Sequence, residues 1–345
     1  MNSDYLKLTA YFGERQRIGG RFTVDALLAL FAADGVATSV VLRGIAGFGP
    51  RHVLRTDVTL SLSEDPPITV TAVDTVDRME ALAPRVLDLV DRGLVTLERA
   101  RRLEDAGDSP WTQLTVYLGR GSAAPSGSVY PAVGEVLRAH GMAAATGYAG
   151  VDGTVAGRRR RAGFFSRNLD VPSMILAVGP HDAARQAATH LEADPRVLLV
   201  TADPAHLRKV AGERITPATP VRAGSPDVRR RLVVHTAASD LHDGLPVHRA
   251  LVRALRDVEP TAGVTVLHGV WGFQGDGPPL TDRMFQTGRR APVTTIMIDT
   301  PDRVEAAFAV VDGLTPDHGV VSTGAVPAAV SIDSGQRRGS LRYDL

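Results

Sequence analysis

The sequence predicts an α+β fold made of three tandem units, each with the element order βαββαβ. The first observation is an internal repeat. The pattern Gly-x-x-Gly-Phe at Gly44–Phe48 recurs at Gly269–Phe273, and the text Asp-Thr-x-Asp-Arg-x-Glu-Ala that begins at Asp74 recurs at Asp299, both at an offset of 225 residues. A period of roughly 100–120 residues is too long for a solenoid repeat and indicates whole domains in tandem.

The second observation is a pair of turn-rich stretches that divide the chain. Glu104–Pro110 is polar, and Thr216–Pro226 contains three prolines, a composition typical of interdomain linkers. We therefore predict domains at 1–105, 111–215 and 229–333, of which the second is the most diverged copy, and a tail at 334–345.

Each domain fits the same order of elements, taken here from its first strand to its last. Short apolar first strands are predicted at 6–12, 114–118 and 232–237. Helices with apolar residues at intervals of three and four follow at 23–33, 130–140 and 247–258. Second strands, each ending in Gly-x-x-Gly before a long polar loop, are predicted at 38–43, 143–147 and 264–268. Third strands follow at 68–73, 172–178 and 293–298, and last strands close the units at 94–97, 197–201 and 320–323.

The second helix of each unit begins at a recognisable signal. We expect it to start at Thr75, near Pro180 and at Thr300. The threonine hydroxyls are predicted to cap free backbone N–H groups, and Pro301 suits the first helical position, where no N–H is needed. Asp74 and Asp299 are interpreted as residues of these helix starts, not as general bases.

The order βαββαβ is that of a ferredoxin-like split unit, which places both helices on one face of its sheet. The other sheet face then needs a cover. Continuously apolar strand segments, such as Val40–Leu42 and Met174–Leu176, favour burial on both faces. We therefore predict that the three units pack their sheets together as an intramolecular pseudo-trimer.

Several motifs make the first repeat similar to the domain-of-unknown-function 190 family, a branch of the PII-like signalling superfamily. The matching segments are Arg43–Gly49, Leu62–Pro67, Val73–Thr75 and Asp91–Leu97, and the third repeat resembles the family at Gly269–Phe273, Pro292, Ile298–Thr300 and Gly319–Val321. The resemblance implies a trimeric arrangement of ferredoxin-like units with a mobile loop after the second strand. It also implies that small effectors, often adenine nucleotides, bind in clefts between units and signal through that loop.

The glycine motifs are the candidate effector sites, because glycine lets backbone N–H groups approach a phosphate closely. The alternative is a tight turn with Phe48 in the core. Since the copies read Gly-Phe-Gly, Gly-Val-Asp and Gly-Phe-Gln, the clefts are expected to differ, with one or two of them working. The candidate residues are Gly44, Gly47, Phe48, Gly49, Gly147, Gly150, Gly269, Gly272 and Phe273.

The chain departs from the PII pattern in one segment, and this departure argues against ATP binding. PII proteins carry a Gly-Asp-Gly-Lys-Ile-type segment before the last strand, where this chain has Gly93–Val95 and Asp317–Val320. The basic pair that normally follows this segment has only a loose counterpart in this chain, formed by Arg99, Arg101 and Arg102.

Other charged groups receive weaker functional interpretations. The run Arg158–Arg161 and the pair Arg289-Arg290 could meet a phosphate or an acidic partner, although a solvated surface is the commoner role of such runs. The histidines of the third repeat match no metal-binding pattern, so no metal is predicted; they are His235, His242, His248 and His268.

Composition narrows the classes of function that remain. A net charge of +1 argues against nucleic acid, the absence of cysteine excludes disulfides and thiolate chemistry, and the N-terminus does not resemble a secretory signal. We find no catalytic motif, so the sequence favours a cytoplasmic, non-enzymatic regulator that binds a small anionic effector, possibly an adenine nucleotide, and acts on a membrane transporter or channel. The alternatives are a small phosphohydrolase, suggested by Gly13–Arg17 after the first strand, and a protein-docking scaffold without a ligand.

Overall fold

The computed structural model describes residues 5–56, 65–100, 109–119, 129–163, 171–215, 228–258, 262–282 and 290–342. We refer to residues 5–100 as unit 1, 109–215 as unit 2 and 228–342 as unit 3. The second predicted linker and most of the first lie outside the described residues, as do Arg101, Arg102, Arg289 and parts of the three predicted loops. The domain boundaries therefore stay predictions.

Each unit alternates strands with two helices. Unit 1 contains β1 (Tyr5–Gly13), β2 (Arg17–Ile18), β3 (Arg21–Phe22), α1 (Thr23–Ala33), β4 (Thr38–Phe48), β5 (Arg55–Thr56), β6 (Pro67–Thr75), α2 (Val76–Leu89) and β7 (Gly93–Ala100). Unit 2 contains β8 (Trp111–Leu118), α3 (Val129–Ala139), β9 (Ala144–Tyr148), β10 (Asp152–Val155), β11 (Arg158–Arg161), β12 (Ser173–Pro180), α4 (His181–Glu192), β13 (Val197–Val210) and β14 (Glu213–Arg214).

Unit 3 repeats this plan and adds a hairpin at its end. It contains β15 (Arg229–Ala237), β16 (Leu241–His242), β17 (Leu245–Pro246), α5 (Val247–Asp257), β18 (Val264–His268), β19 (Trp271–Gln274), β20 (Leu280–Thr281), β21 (Pro292–Asp299), α6 (Pro301–Leu314), β22 (Val320–Val326), β23 (Ala328–Asp333) and β24 (Gln336–Ser340). The strand β24 falls within the predicted tail and pairs with β23. The α+β class is confirmed, with six helices and a large antiparallel sheet among the described residues.

The main strands of each unit pair in the same antiparallel order. In unit 1 the order is β4-β6-β1-β7, with β1 paired along both of its edges. Units 2 and 3 repeat it as β9-β12-β8-β13 and β18-β21-β15-β22. The helices of each unit cover one face of these strands and form a separate apolar core with it.

The starts of α2 and α6 differ from the prediction in one detail. Neither Thr75 nor Thr300 makes a side-chain capping bond. The preceding aspartates instead bond to the backbone of the N-cap residue and of a neighbouring turn. Asp74 accepts from the N–H groups of Thr75 at 2.8 Å and Ala37 at 2.7 Å, and Asp299 accepts from Thr300 and Ala262 at the same distances. A carboxylate accepts several bonds, so each aspartate joins the residue before the helix to the neighbouring turn.

The second strand of each unit, or the strand that follows it, pairs with the second strand of another unit. The end of β4 pairs with β18 of unit 3, β19 of unit 3 pairs with β9 of unit 2, and β10 of unit 2 pairs with β4 of unit 1. The long polar loops that the sequence predicts after the second strands, at about 49–66, 152–170 and 274–291, each include strand residues. Each pair of units shares one such contact, because these extensions leave their own sheet and meet the edge of the next.

The sheet faces opposite the helices meet in a core shared by all three units. Val40 and Leu42 of unit 1, Tyr117 of unit 2, and Val233 and Ile296 of unit 3 belong to it. This is the cover that the continuously apolar strand segments require.

A buried network of four charges lies at this junction. Lys7 Nζ is 2.8 Å from Asp203 Oδ2 and 3.5 Å from Glu98 Oε2, and Arg231 Nη1 is 2.6 Å from Glu98 Oε2. Burial by itself raises the pKa of the Glu98 carboxyl, but Arg231 and Lys7 outweigh burial and hold that pKa below its usual range. Sheet register places Lys7, Gln113 and Arg231 at equivalent positions of the three units, opposite Glu98, Asp203 and Gly324. Two positive and two negative groups balance only because the copies differ.

Candidate functional site

A cavity of about 500 Å³ lies between units 1 and 3. Unit 1 contributes the end of β1 and the segments that follow β1, β4 and α2, and unit 3 contributes the start of β18 and part of β21. The volume falls within the roughly 300–1,000 Å³ typical of small-molecule sites. Gly47, Phe48 and Gly49 line this cavity together, so the cavity contains one of the glycine motifs that the sequence singles out.

The cavity wall is strongly basic. Its lining includes five arginines, against two aspartates, Asp65 and Asp91. The five are Arg15, Arg17, Arg51, Arg55 and Arg92. Guanidinium groups form charge-assisted, often bidentate hydrogen bonds with carboxylates and phosphates. The chemistry of this wall therefore suits an anion.

Local contacts position several of these arginines. Asp65 accepts from the backbone N–H of Arg15 at 2.6 Å and forms an ion pair with Arg55 at 3.2 Å. The Arg17 guanidinium stacks on the Phe22 ring, 4.0 Å from its centroid, and donates to the Gly20 carbonyl at 3.0 Å. These contacts position the side chains of Arg17 and Arg55 and the backbone of Arg15.

The three residues of the Gly47–Gly49 segment have different surroundings. A Cβ added at Gly47 would lie closer than 3.0 Å to the Val264 carbonyl oxygen of unit 3, so glycine is required here by the close approach of two strands. Phe48 is buried in the core of unit 3 and contacts the His52 ring. An added Cβ at Gly49 would meet no atom within 4 Å, so the backbone of Gly49 is open to the cavity.

The other glycines of units 1 and 3 also serve strand contacts. Added Cβ atoms at Gly44 and Gly269 would collide with Pro67 and Pro292, and one at Gly272 would collide with the Ala145 carbonyl of unit 2. Phe273 is buried in the core of unit 2, as Phe48 is in the core of unit 3. These residues therefore lie where neighbouring strands and units pack against each other.

In unit 2 the glycines that correspond to Gly44 and Gly47 lie three residues later in the chain than the sequence motif suggests. Gly153, not Gly150, occupies the position of Gly47, since an added Cβ at Gly153 would meet the Ser39 carbonyl of unit 1. Gly150 then corresponds to Gly44 and contacts Pro172, while Gly147 lies within β9 against the Tyr130 ring. The sequence suggested Gly147 and Gly150 because both spacings read Gly-x-x-Gly, and only strand register separates them.

A second cavity of about 310 Å³ occupies the corresponding place between units 3 and 2. Its charged lining consists of Arg290, Asp240 and Asp317, with His318 beside them. Gly272 and Phe273 do not line it, and the neighbouring Gln274 does. The two cavities therefore differ in charge, and the basic one lies between units 1 and 3.

Two of the four arginines of the basic run of unit 2, Arg159 and Arg161, form ion pairs with Asp25 of unit 1. Arg159 on β11 bonds to Asp152 at 2.6 Å and to Asp25 of α1 at 2.5 Å. The hydrogen bond from Arg159 is the main cause that lowers the pKa of the Asp25 carboxyl. Arg158 and Arg160 are partly or fully exposed on the same strand. The ion pair with Arg159 neutralises the Asp152 carboxylate.

Two histidines of unit 3, His235 and His248, have buried side chains. His235 is buried and within hydrogen-bonding distance of Thr146 and Thr294, and burial lowers its pKa to about 4. Burial likewise lowers the pKa of His248 to about 4. Among the described residues, no group of three or more His, Asp or Glu side chains has the geometry to hold a metal ion.

Sequence reasoning missed Arg51, Arg55 and Arg92 as members of this site. Each is an isolated arginine in a loop or short strand, and arginine is abundant throughout the chain. Arg51 does lie two residues after Gly49, and Arg92 directly precedes Gly93, so proximity to the family-like segments was the available signal.

Among the described residues, no helix combines the length and apolar character needed to cross a bilayer.

Comparison with known proteins adds one strong likeness and one weak one. A solved structure described as that of an anthrone oxidase-like protein is 10% identical to this chain over 69% of it and 98% of its own length, with a TM-score of 0.19. A likeness at that score carries no argument. The model of the domain-of-unknown-function 190 family (DUF190, described as "Uncharacterized ACR") matches at residues 5–102, 111–207 and 229–328. Since these matches cover most of the chain, the protein belongs to the domain-of-unknown-function 190 family and contains three tandem copies of its domain.

Proposed function

We propose that the protein is a non-enzymatic, PII-like regulator in which three ferredoxin-like units form an intramolecular pseudo-trimer. The shared strand order of the three units supports the ferredoxin-like assignment. Strand pairing between every two units supports the pseudo-trimer. Membership in this family supports the PII-like relationship through the resemblance given above.

The observation that carries the functional proposal is the basic cavity between units 1 and 3. Five arginines, the open backbone at Gly49 and a volume of about 500 Å³ suit a small anionic effector. Apolar and aromatic groups, including Tyr11 and Phe48, form another part of the wall and could contact a ring such as adenine. An adenine nucleotide combines these two chemistries, so it is the first effector to test.

Effector binding between units offers a route to a signal. Segments of units 1 and 3 line the basic cavity, so a bound ligand would contact both units. If the ligand binds one arrangement of the two units more tightly than another, it shifts the population toward that arrangement. We propose that the loops next to the clefts pass this change to a partner in the cytoplasm, with a membrane transporter or channel as the expected class.

Isothermal titration with ATP, ADP, AMP and cyclic nucleotides tests the effector. The variant Arg55→Ala should weaken binding by about tenfold or more, because it removes a charge-assisted contact to the ligand. Arg160→Ala is the matched control: it removes the same charge from an exposed strand of unit 2, outside the cavity. Absence of heat across the panel, or equal weakening by both variants, would refute the nucleotide proposal.

A phosphohydrolase is the second candidate, because Arg15 and Arg17 lie after the first strand and line the same cavity. Steady turnover of acetyl phosphate that Arg15→Ala or Arg17→Ala abolishes would favour this enzyme. Binding without turnover favours the regulator. A partner that is captured equally well after nucleotide removal and in the Gly49→Ala variant would favour a docking scaffold instead.

A further inference from the structure

Two arginines of the basic cavity converge on one carboxylate of unit 3. Arg51 Nη2 lies 3.2 Å and Arg92 Nε lies 3.3 Å from the same oxygen, Oδ1 of Asp333. Arg51 also donates to the Ser334 hydroxyl at 2.7 Å, and Arg92 approaches that hydroxyl at 3.5 Å. Arg51 and Arg92 are lining residues of the cavity, as is Ser331, whereas Asp333 lies just beyond the lining. The arrangement is that of an anion subsite already holding an anion.

Distant parts of the chain build this subsite. Arg51 follows β4, Arg92 precedes β7, and Asp333 ends β23 at the turn of the hairpin β23–β24. Ser334 and Gly335 form that turn with positive φ angles of 52° and 79°. The turn geometry projects the Asp333 carboxylate toward unit 1, while β23 itself stays paired with β7.

The cleft between units 3 and 2 provides an internal comparison. There Asp276 takes the place of Arg51 and His318 that of Arg92, by the register of the paired strands. The corresponding hairpin of unit 2 turns at Ala211 and Gly212, and Ala211 bonds to Gly319 as Ile332 pairs with Gly93. Gly212 therefore stands where unit 3 has Asp333. The cleft between units 1 and 3 therefore has both the two arginines and the carboxylate, and the cleft between units 3 and 2 has neither at the corresponding positions.

The contact is placed where a ligand could displace it. The side chains of Arg51, Arg92 and Asp333 are 52%, 38% and 44% exposed. Exposed ion pairs of this kind contribute little stability, whereas a phosphate group can form several bonds to two guanidiniums at once. An incoming phosphate thus has the advantage over the single carboxylate.

We propose that Asp333 is a built-in competitor for the anion subsite formed by Arg51 and Arg92. The inference rests on the proposed function, since it requires that the basic cavity binds an anion. The ligand class is a phosphate or another compact dianion that bridges both guanidiniums. Its entry displaces the Asp333 carboxylate and frees the turn at 333–336, so this turn reports whether the cavity is occupied.

Titration with inorganic pyrophosphate on the full chain tests the competition. Asp333→Asn should tighten pyrophosphate binding by about threefold to tenfold, because it frees two exposed arginines and removes one negative charge. Asp88→Asn is the matched control. Asp88 pairs with Arg337 of the same hairpin at 2.8 Å, is 71% exposed and does not line the cavity. This control removes an equal charge and loosens the same hairpin without freeing a cavity arginine.

Hydrogen exchange of the turn gives the second measurement. Pyrophosphate should speed exchange at 333–336 in the natural chain and change it less in Asp333→Asn, where the ion pairs with Arg51 and Arg92 are already absent. Equal affinity of Asp333→Asn and Asp88→Asn, with binding intact, would overturn the competitor role and leave the proposed function standing. If no variant binds pyrophosphate or any nucleotide, both proposals fail. Binding by Asp333→Asn alone would support the competition most directly.

Discussion

Replacing Glu98 by glutamine should destabilise the protein strongly, because Glu98 belongs to the buried four-charge network at the junction of the three units. Its carboxylate lies 2.6 Å from Arg231 Nη1 and 3.5 Å from Lys7 Nζ, and the residue is 2% exposed. After the substitution, Lys7 and Arg231 would share only the Asp203 carboxylate, and one positive charge would stay uncompensated in the interior.

The magnitude follows from burial. Removing one partner of a buried pair costs about 3–5 kcal/mol, whereas an exposed pair contributes about 0–1 kcal/mol. The comparison variant is Asp88→Asn, whose partner Arg337 is 44% exposed. A second substitution, Lys7→Gln added to Glu98→Gln, restores charge balance and should recover about 1 kcal/mol or more through coupling of the two sites.

Urea denaturation followed by circular dichroism measures these differences as changes in the free energy of unfolding. We expect Glu98→Gln to unfold at clearly lower urea than the natural chain, and Asp88→Asn to unfold close to it. If Glu98→Gln loses less than about 1 kcal/mol, or if Lys7→Gln adds its own full loss to that of Glu98→Gln, the argument from charge balance is wrong.

Three further predictions, made with four substitutions, test other parts of the structure. Gly47→Ala should destabilise by about 1–3 kcal/mol, since the new methyl group meets the Val264 carbonyl, while Gly49→Ala, with open space around it, should be nearly neutral; thermal denaturation compares the two. Phe273→Ala should lower the free energy of unfolding by about 3–5 kcal/mol, because the ring fills the core of unit 2, and a loss below 1 kcal/mol would contradict that packing. His235 is buried with a pKa of about 4, below the unfolded value of about 6.5, so its contribution of up to about 3 kcal/mol is present above pH 6.5 and is lost as the pH falls toward 4. His235→Asn should flatten this acid limb in unfolding curves measured between pH 4 and 7, and an unchanged limb would assign the pH dependence to other groups.

The strand and helix order was predictable from the chain because its signals are local. The predicted helix at 23–33 coincides with α1, and the predicted starts at Thr75, Pro180 and Thr300 each lie one residue before a helix. Apolar periodicity and proline placement act within a few residues of the element they specify. The capping assignment at Thr75 and Thr300 was wrong because a threonine before a helix is the same sequence signal whether or not its hydroxyl bonds to a helix N–H.

The candidate site was predictable only in part. The segment Gly47–Gly49 stands out as a repeated motif, and it does line the basic cavity. The strand register that identifies Gly153 as the partner of Gly47 involves Ser39, in another unit. No pattern within unit 2 separates Gly147-x-x-Gly150 from Gly150-x-x-Gly153.

The sequence by itself determined that this protein is built from three copies of one βαββαβ domain, because repeats and periodicity are properties of neighbouring residues. Only the tertiary structure decided which charges meet. Lys7 and Asp203 lie 196 positions apart, and Arg51 and Ser334 lie 283 apart, yet each pair is in hydrogen-bonding contact. Those contacts depend on how strands of different units pair, and a local pattern carries no information about that pairing.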